Sequence, residues 1–406
     1  MRALDGETER SLSVIGQADI LIGIPSYNCA KTIGRVISQS ANGLAEYFGN
    51  RKSIILVSDG GSTDATLETA MRIRLPEGVK LMTCLYQGVP GKGSAVKALF
   101  EAAFHLGVSG LAMIDSDVES ITPSWIRLLI DPVLHEVGLV TPRYIRHKYD
   151  GTITNQLCYP LTRALYGKRI RQPIGGDFGL SQELASKLLQ SPLWQTPYIP
   201  RFGIDIFITA SAIAKGFVVE EADLGAKIHG AKDPSSQLGS MFREVAGSAL
   251  ACMDAYAEFW REIKGSVPVL LRTNHVEKIE PRPVNVSLHG LVEEFRSAYP
   301  NSGCFREAIS PDLRRELDDH ASAKTENLIV PLDVWAKTVY ETSAAFRRSN
   351  ESQRNRLLEG LRAVWTGRVA TFVRETAMMT NREAEAKVEE EAEYFENTKN
   401  DLLAIY

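Results

Sequence analysis

Between Ile20 and Asp115, short apolar runs alternate with longer stretches whose apolar residues recur at helical spacing. Residues 20–25, 53–58, 79–85 and 110–114 read as strands, and 30–47, 64–74 and 93–105 as the helices between them. Strands and helices of these lengths, in strict alternation, predict βαβ units and a parallel sheet. Ligands of such sheets bind beyond the carboxyl ends of the strands. Each chemically suggestive segment of this half lies at such an end.

Beyond Asp117 the pattern is mixed. Residues 125–136, 154–166 and 204–215 read as helices, and 138–141 and 217–220 as strands. From Met241 onward the periodicity is almost wholly helical, over 242–263, 288–298, 331–348, 351–373 and 382–406, with a proline-containing break at 279–285. The expected organisation is an N-terminal extension (1–17), an α/β domain (18–265) and an all-α C-terminal region (266–406). The boundary falls within 265–285, and 241–263 can belong to either side. The acidic run 383–396 reads as a solvated helix face, and Trp335, Tyr340 and Phe346 as helix-packing residues. The helical tail is a candidate homodimer interface or a cover for the acceptor site.

Composition narrows the function classes. Hydrophobic residues make up 44% and charged residues 24% of the chain, ordinary values for a globular protein, and the net charge of -4 argues against a general nucleic-acid binder. No apolar run reaches the length of a transmembrane helix, and the N-terminus lacks a signal-peptide pattern. Five scattered cysteines without CxxC spacing fit reduced thiols and a cytoplasmic location rather than zinc or disulfides.

Five segments carry candidate chemistry. Asp115-Ser116-Asp117 follows an apolar strand; in extended geometry residues two apart share a side, so the carboxylates can meet one hard cation such as Mg²⁺ or Mn²⁺. Asp59-Gly60-Gly61-Ser62-Thr63-Asp64 follows another strand, where Asp59 can accept from a base or ribose and Thr63 or Asp64 can cap a helix. Pro90-Gly91-Lys92-Gly93 precedes a helix, a place suited to anions, without the spacing of a P-loop. His229 is either a metal ligand or a structural histidine. Asp205 and Asp177 each read as a base, an acceptor for a sugar hydroxyl, or a structural carboxylate.

Together these segments resemble the GT-A glycosyltransferases over roughly residues 18–265. Ile24-Pro25-Ser26-Tyr27-Asn28 is similar to the opening strand and nucleotide loop of that superfamily. Asp59 to Asp64 is similar to its D-D-G-S-x-D element, with Gly60 in place of the second Asp, and Asp115-Ser116-Asp117 to its metal motif. Pro90 to Gly93, Gln172 to Asp177, Gly203-Ile204-Asp205 and Lys227-Ile228-His229 resemble elements of the retaining glucosyl-3-phosphoglycerate and mannosylglycerate synthases. The mannosylglycerate group also carries a helical C-terminal extension.

The resemblance implies a nucleotide-sugar donor (UDP-, GDP- or ADP-linked), a divalent cation and a small polar acceptor. Pro25, Tyr27, Asn28, Asp59, Gly91, Lys92, Asp115 and Ser116 would line the donor. Asp117 and His229, with Asp115, would hold the metal. Asp177 and Asp205 would hold the transferred sugar, and Lys92 would stabilise the leaving diphosphate. Thr154, Gly175, Gly176 and Arg143 would face the acceptor. The phosphoglycerate enzymes keep an arginine where this chain has Thr152, which favours an unphosphorylated acceptor unless Arg143, Arg146, Lys148 or Lys232 compensates. The expected reaction is retaining transfer of glucose or mannose. Its alternative is an inverting, family-2-like enzyme with Asp205 as base, acting on a saccharide or lipid. A nucleotidyltransferase is the rival from another class, and the early glycine-rich loop with basic residues that it usually carries is missing around Ser26.

Overall fold

The computed structural model describes residues 2–230, 238–273, 279–324 and 328–406. These residues form ten strands: β1 (Ile20–Ser26), β2 (Ser53–Asp59), β3 (Val79–Leu85), β4 (Gly110–Met113), β5 (Leu139–Ile145), β6 (Lys168–Arg169), β7 (Phe178–Ser181), β8 (Val219–Ala226), β9 (Val267–Pro268) and β10 (Leu271–Arg272). β1 and β2 are buried at every position, as near-continuous apolar strands inside a parallel sheet should be. β3 is only partly covered, which suits its place at the edge.

Eight strands make one sheet in the order β10-β8-β5-β7-β4-β1-β2-β3. All pairings are parallel except those of β7, which runs antiparallel between β4 and β5. Pro25 sits in β1 beyond Gly23, where the ladder to β4 has already ended, so its missing N–H falls where the strand is paired on the β2 side alone. One apolar layer fills the space between the sheet and the helices Ile33–Phe48 and Pro123–Ile130, with Trp125, Ile37 and Ile126 buried against Ile22, Ile55 and Val140. Residues 125–136, expected as one helix, stop at Ile130 because Pro132 cannot continue the ladder and a 3-10 turn follows. β7 and the helix Gln182–Leu189 lie outside the predicted elements; four residues, Phe178-Gly179-Leu180-Ser181, are too short for a period.

Two compact units emerge, and they interleave along the chain. The first takes 1–145, 174–230 and 269–281; the second takes 146–173, 231–268 and 282–406. The single cut expected near 265 therefore differs from the structure. Residues 242–263 go with the helical unit, and so does 146–173, because Arg163 and Arg171 are ion-paired to Glu389, Glu396 and Glu385 of the last long helices.

The helical unit is built around Glu351–Glu375, a helix whose second half is buried on all sides. Trp335, Tyr340 and Phe346 are buried in packing, as expected. The run 383–396 is corrected: it is not one solvated face. Glu385, Glu389 and Glu396 hold arginines, and Glu391 is fully buried against Arg368 at 3.0 Å. The predicted helix 382–406 also breaks at Thr398, into Asn381–Asn397 and Lys399–Ile405.

Burial pushes the Glu391 carboxyl up to about 7, against the pull of Arg368. The folded chain therefore keeps a proton that the unfolded chain loses from about pH 4.5 upward, so this group's contribution to stability falls as pH rises through 4.5–7. The full change is about 3 kcal/mol. Glu391→Gln should flatten that part of the thermal-stability profile between pH 5 and 7.5. An unchanged slope would reject the assignment.

Candidate active site

The loops after β1 and β2 lock onto each other. Asn28 adopts a left-handed backbone (φ 50), its amide donates to Ser62 Oγ (2.8 Å), and its Oδ1 accepts Thr63 N–H (2.8 Å). Cys29 N–H donates to Thr66 Oγ1 and Ala30 N–H to Asp64. Asp59 is fully buried and accepts from Ser26 Oγ, Ser62 Oγ and the Gly61 and Ser62 amides. It ties the ends of β1 and β2 together. This corrects the expectation that Asp59 is presented to a base or ribose: both of its oxygens are engaged within the loop. Tyr27, next to it, is 62% exposed and open to a ligand.

The segment Gly91 to Ser94 begins the helix Lys92–Leu106, but its amides do not face an anion. Gly93 N–H donates to Arg201 O and Ser94 N–H to Pro200 O, both at 2.9 Å. A Cβ on Gly93 would stand 1.8 Å from Ile199 O, so only glycine permits this approach. The docking aims Lys92 inward instead. Its ammonium lies 2.8 Å from Asp115 Oδ1 and 3.1 Å from Asp205 Oδ2.

Asp115 follows β4 and also meets Lys227, which leaves β8 and sets Nζ 3.0 Å from Asp115 Oδ2, 3.0 Å from Asp177 Oδ2 and 2.8 Å from Gly175 O. Asp177 Oδ1 accepts Asp115 N–H at 2.8 Å, and its Oδ2 also accepts the Tyr144 hydroxyl. Gly176 holds φ at +92, and a Cβ there would sit 2.0 Å from Asp115 Oδ2. Three carboxylates and two ammoniums are thus gathered beyond the carboxyl ends of β4, β5 and β8. The electrostatics follow from that ratio. Burial opposes ionisation of Asp115, but Lys92 and Lys227 overcome it and hold its carboxyl well below the usual range. Burial would also lower Lys92, and Asp115 and Asp205 outweigh it and raise the ammonium. Burial raises Asp177 and Asp205, with the Asp115 charge adding to it.

The structure brings some of the sequence-predicted site residues together and leaves others apart. Lys92, Asp115, Asp177 and Asp205 do converge. Asp115, expected beside the donor and the metal, has one lysine ammonium on each of its oxygens. Asp177 is fully buried with both oxygens bonded within the protein, so it is a positioning carboxylate rather than one facing a sugar. Asp205 keeps Oδ1 buried and without a partner among the described residues. Arg143 pairs with Glu221 at 3.5 Å, and Thr154 belongs to the helical unit, where it opens a π-turn, Thr154–Cys158. Lys227 and Tyr144 were missed as cluster members. The signal available was a lysine directly after β8, between two apolar residues in Ala226-Lys227-Ile228.

Asp117 is exposed, and its segment is pinned from two sides. Thr32 Oγ1 donates to Ser116 O and Arg35 Nε to Glu119 O; Glu119 N–H donates to Ile228 O, and Ile228 N–H to Ser120 Oγ. The strip carrying Asp117 thus runs beside the strip carrying His229. Among the described residues no three His, Cys, Asp or Glu side chains form a ready cage. One carboxylate and one imidazole on adjoining strips still suit Mg²⁺ or Mn²⁺, which keep most positions for phosphate oxygens and water.

Residues 21–186 match the sequence model of glycosyl transferase family 2. The chain carries a glycosyltransferase domain. Its mostly parallel mixed sheet with flanking helices is of the GT-A type, joined to a helical C-terminal region. Solved structures similar to the chain include glucosyl-3-phosphoglycerate synthase from Mycobacterium tuberculosis in complex with Mn²⁺, UDP and phosphoglyceric acid, at 23% identity over 62% of this chain and 84% of that one, TM-score 0.45. The same enzyme with Mn²⁺, UDP-glucose and phosphoglyceric acid aligns at 24% identity over 61% and 84%, TM-score 0.46. A structure described as a mycobacterial protein aligns at 25% identity over 61% and 79%, TM-score 0.45. No curated protein matches the chain.

Proposed function

We propose that this glycosyltransferase moves glucose or mannose from a nucleotide-sugar to glycerate or 3-phosphoglycerate, with retention, in the cytoplasm. The observation that carries the proposal is the Lys92 ammonium, buried at the carboxyl end of the sheet between Asp115 and Asp205. A fixed cation in a water-poor site stabilises charge developing on a departing diphosphate, which is the largest demand of this reaction. Asp117 and His229 would hold a divalent cation, which would supply further positive charge to the same oxygens.

Asp205 would give its unpaired Oδ1, buried in this structure, to a donor-sugar hydroxyl. Asp115 and Asp177, engaged by Lys92 and Lys227, orient the floor of the site. In the retaining path the acceptor oxygen bonds to the anomeric carbon as the carbon–phosphate oxygen bond breaks, and its proton passes to a donor phosphate oxygen. Inversion is the alternative reading: the same unpaired Oδ1 would take the proton, in a carboxyl already raised by burial.

The unphosphorylated acceptor, glycerate, is favoured. Thr152 supplies no guanidinium, and the described cations that could compensate are engaged. Arg143 pairs with Glu221, Arg146 with Asp150 at 2.9 Å, and the Lys148 ammonium donates to the carbonyls of Thr376, Ala377 and Met379. Lys232 lies outside the described residues. The product of an α-linked donor and glycerate should be the α-glycoside by NMR, with 3-phosphoglycerate the poorer acceptor. A β-glycoside would replace retention by inversion with Asp205 as base.

A further inference from the structure

Tyr86 directly follows β3 and is no part of the ion cluster, yet it touches the segment from which Lys92 departs. Its hydroxyl accepts Gly91 N–H at 2.9 Å. Gln87 to Pro90, between the two, are all exposed, so this bond is a tether across a solvent-facing loop. On the far side Gly93 and Ser94 are held by Arg201 O and Pro200 O. Lys92 stands between these anchors.

Gly60 leaves room for the tether. A Cβ there would lie 3.1 Å from the Tyr86 hydroxyl, 3.4 Å from its Cε1 and 3.3 Å from Tyr27 Cδ2. Both rings therefore close on the Gly60 backbone at the ends of β1, β2 and β3. A side chain here would crowd the Tyr86 hydroxyl. The glycine that departs from the two-aspartate pattern is the residue that gives Tyr86 its reach.

We propose that Tyr86 is a positioning residue for Lys92: its hydroxyl fixes the Gly91 amide and so sets where the ammonium meets the diphosphate of the donor. The role in turnover rests on the donor-site reading above; the positional role does not. Tyr86→Phe keeps the ring against Gly60 and removes the hydrogen bond alone. It should lower kcat about fivefold, the worth of one such bond, with the donor KM changed less than twofold.

The deciding test is a double-mutant cycle with Lys92→Met. The Tyr86→Phe loss should vanish in the Lys92→Met background, and an undiminished fivefold loss there would overturn the proposal. Lysine side-chain NMR without nucleotide supplies the independent arm, the Lys92 signal being identified by its disappearance in Lys92→Met. That signal should shift in Tyr86→Phe at unchanged Tm. If wild-type protein turns over no nucleotide-sugar, the donor-site reading falls, and an unshifted Lys92 signal alone rejects the role of Tyr86.

Discussion

Lys227→Met should lower stability by about 3–5 kcal/mol at neutral pH, the usual consequence of stranding buried partners of a removed charge. Methionine keeps most of the stem's volume, so the loss reports charge rather than a cavity. Lys227 is buried, and its ammonium answers Asp115 Oδ2, Asp177 Oδ2 and Gly175 O. Without it, one ammonium faces three carboxylates. The pH dependence has a defined sign. Asp115 titrates below its ordinary value in the folded chain, so its stabilisation is in place above the usual carboxylate range and fades as pH falls below it. The gap between wild type and Lys227→Met should therefore narrow on acidification. Urea denaturation at pH 7 and pH 3 measures both. An equal gap at the two values would mean that Lys227 acts through packing alone.

Lys92→Met should lower kcat by about 10²–10³-fold, the range seen when one preorganised group for developing charge is lost. The fold should tolerate it better than Lys227→Met, because Lys92 keeps 14% of its side chain exposed and Asp115 retains its second lysine. The measurement is initial rate of nucleoside diphosphate release, with circular dichroism to confirm the fold. A loss confined to KM would mean that Lys92 binds the donor without favouring its departure.

The alternation of apolar runs and helical periods carries the sheet of this protein, because β1 and β2 are buried on both faces and write their burial directly into the sequence. β7 escapes that logic. It is four residues long, and its antiparallel direction is set by its neighbours β4 and β5. The interleaved units escape it too, since the attachment of 146–173 to the helical unit rests on arginine–glutamate pairs more than 200 residues apart in sequence. Local composition cannot announce such partners. The acidic run misleads for the same reason: Glu391 is buried only because Arg368 waits inside.

At the site, spacing located Asp115, Asp117 and Lys92 but not the partners of their charges. A carboxylate pair after a strand reads as a cation site. Only the fold brings Lys227 to Asp115 and makes that carboxylate one side of an ion pair. Asp59 is a similar case, a conspicuous acid whose acceptors are all spent on Ser26, Gly61 and Ser62.

The central claim is that Lys92, with a cation at Asp117 and His229, draws a diphosphate away from a sugar. Its most direct test is release of nucleoside diphosphate from UDP-, GDP- and ADP-linked glucose and mannose, offered with glycerate, in Mg²⁺ or Mn²⁺ and again in chelator. The account predicts release from at least one donor, dependent on the metal and lowered about 10²–10³-fold in folded Lys92→Met. Release that persists in chelator, or at full rate in Lys92→Met, would contradict it.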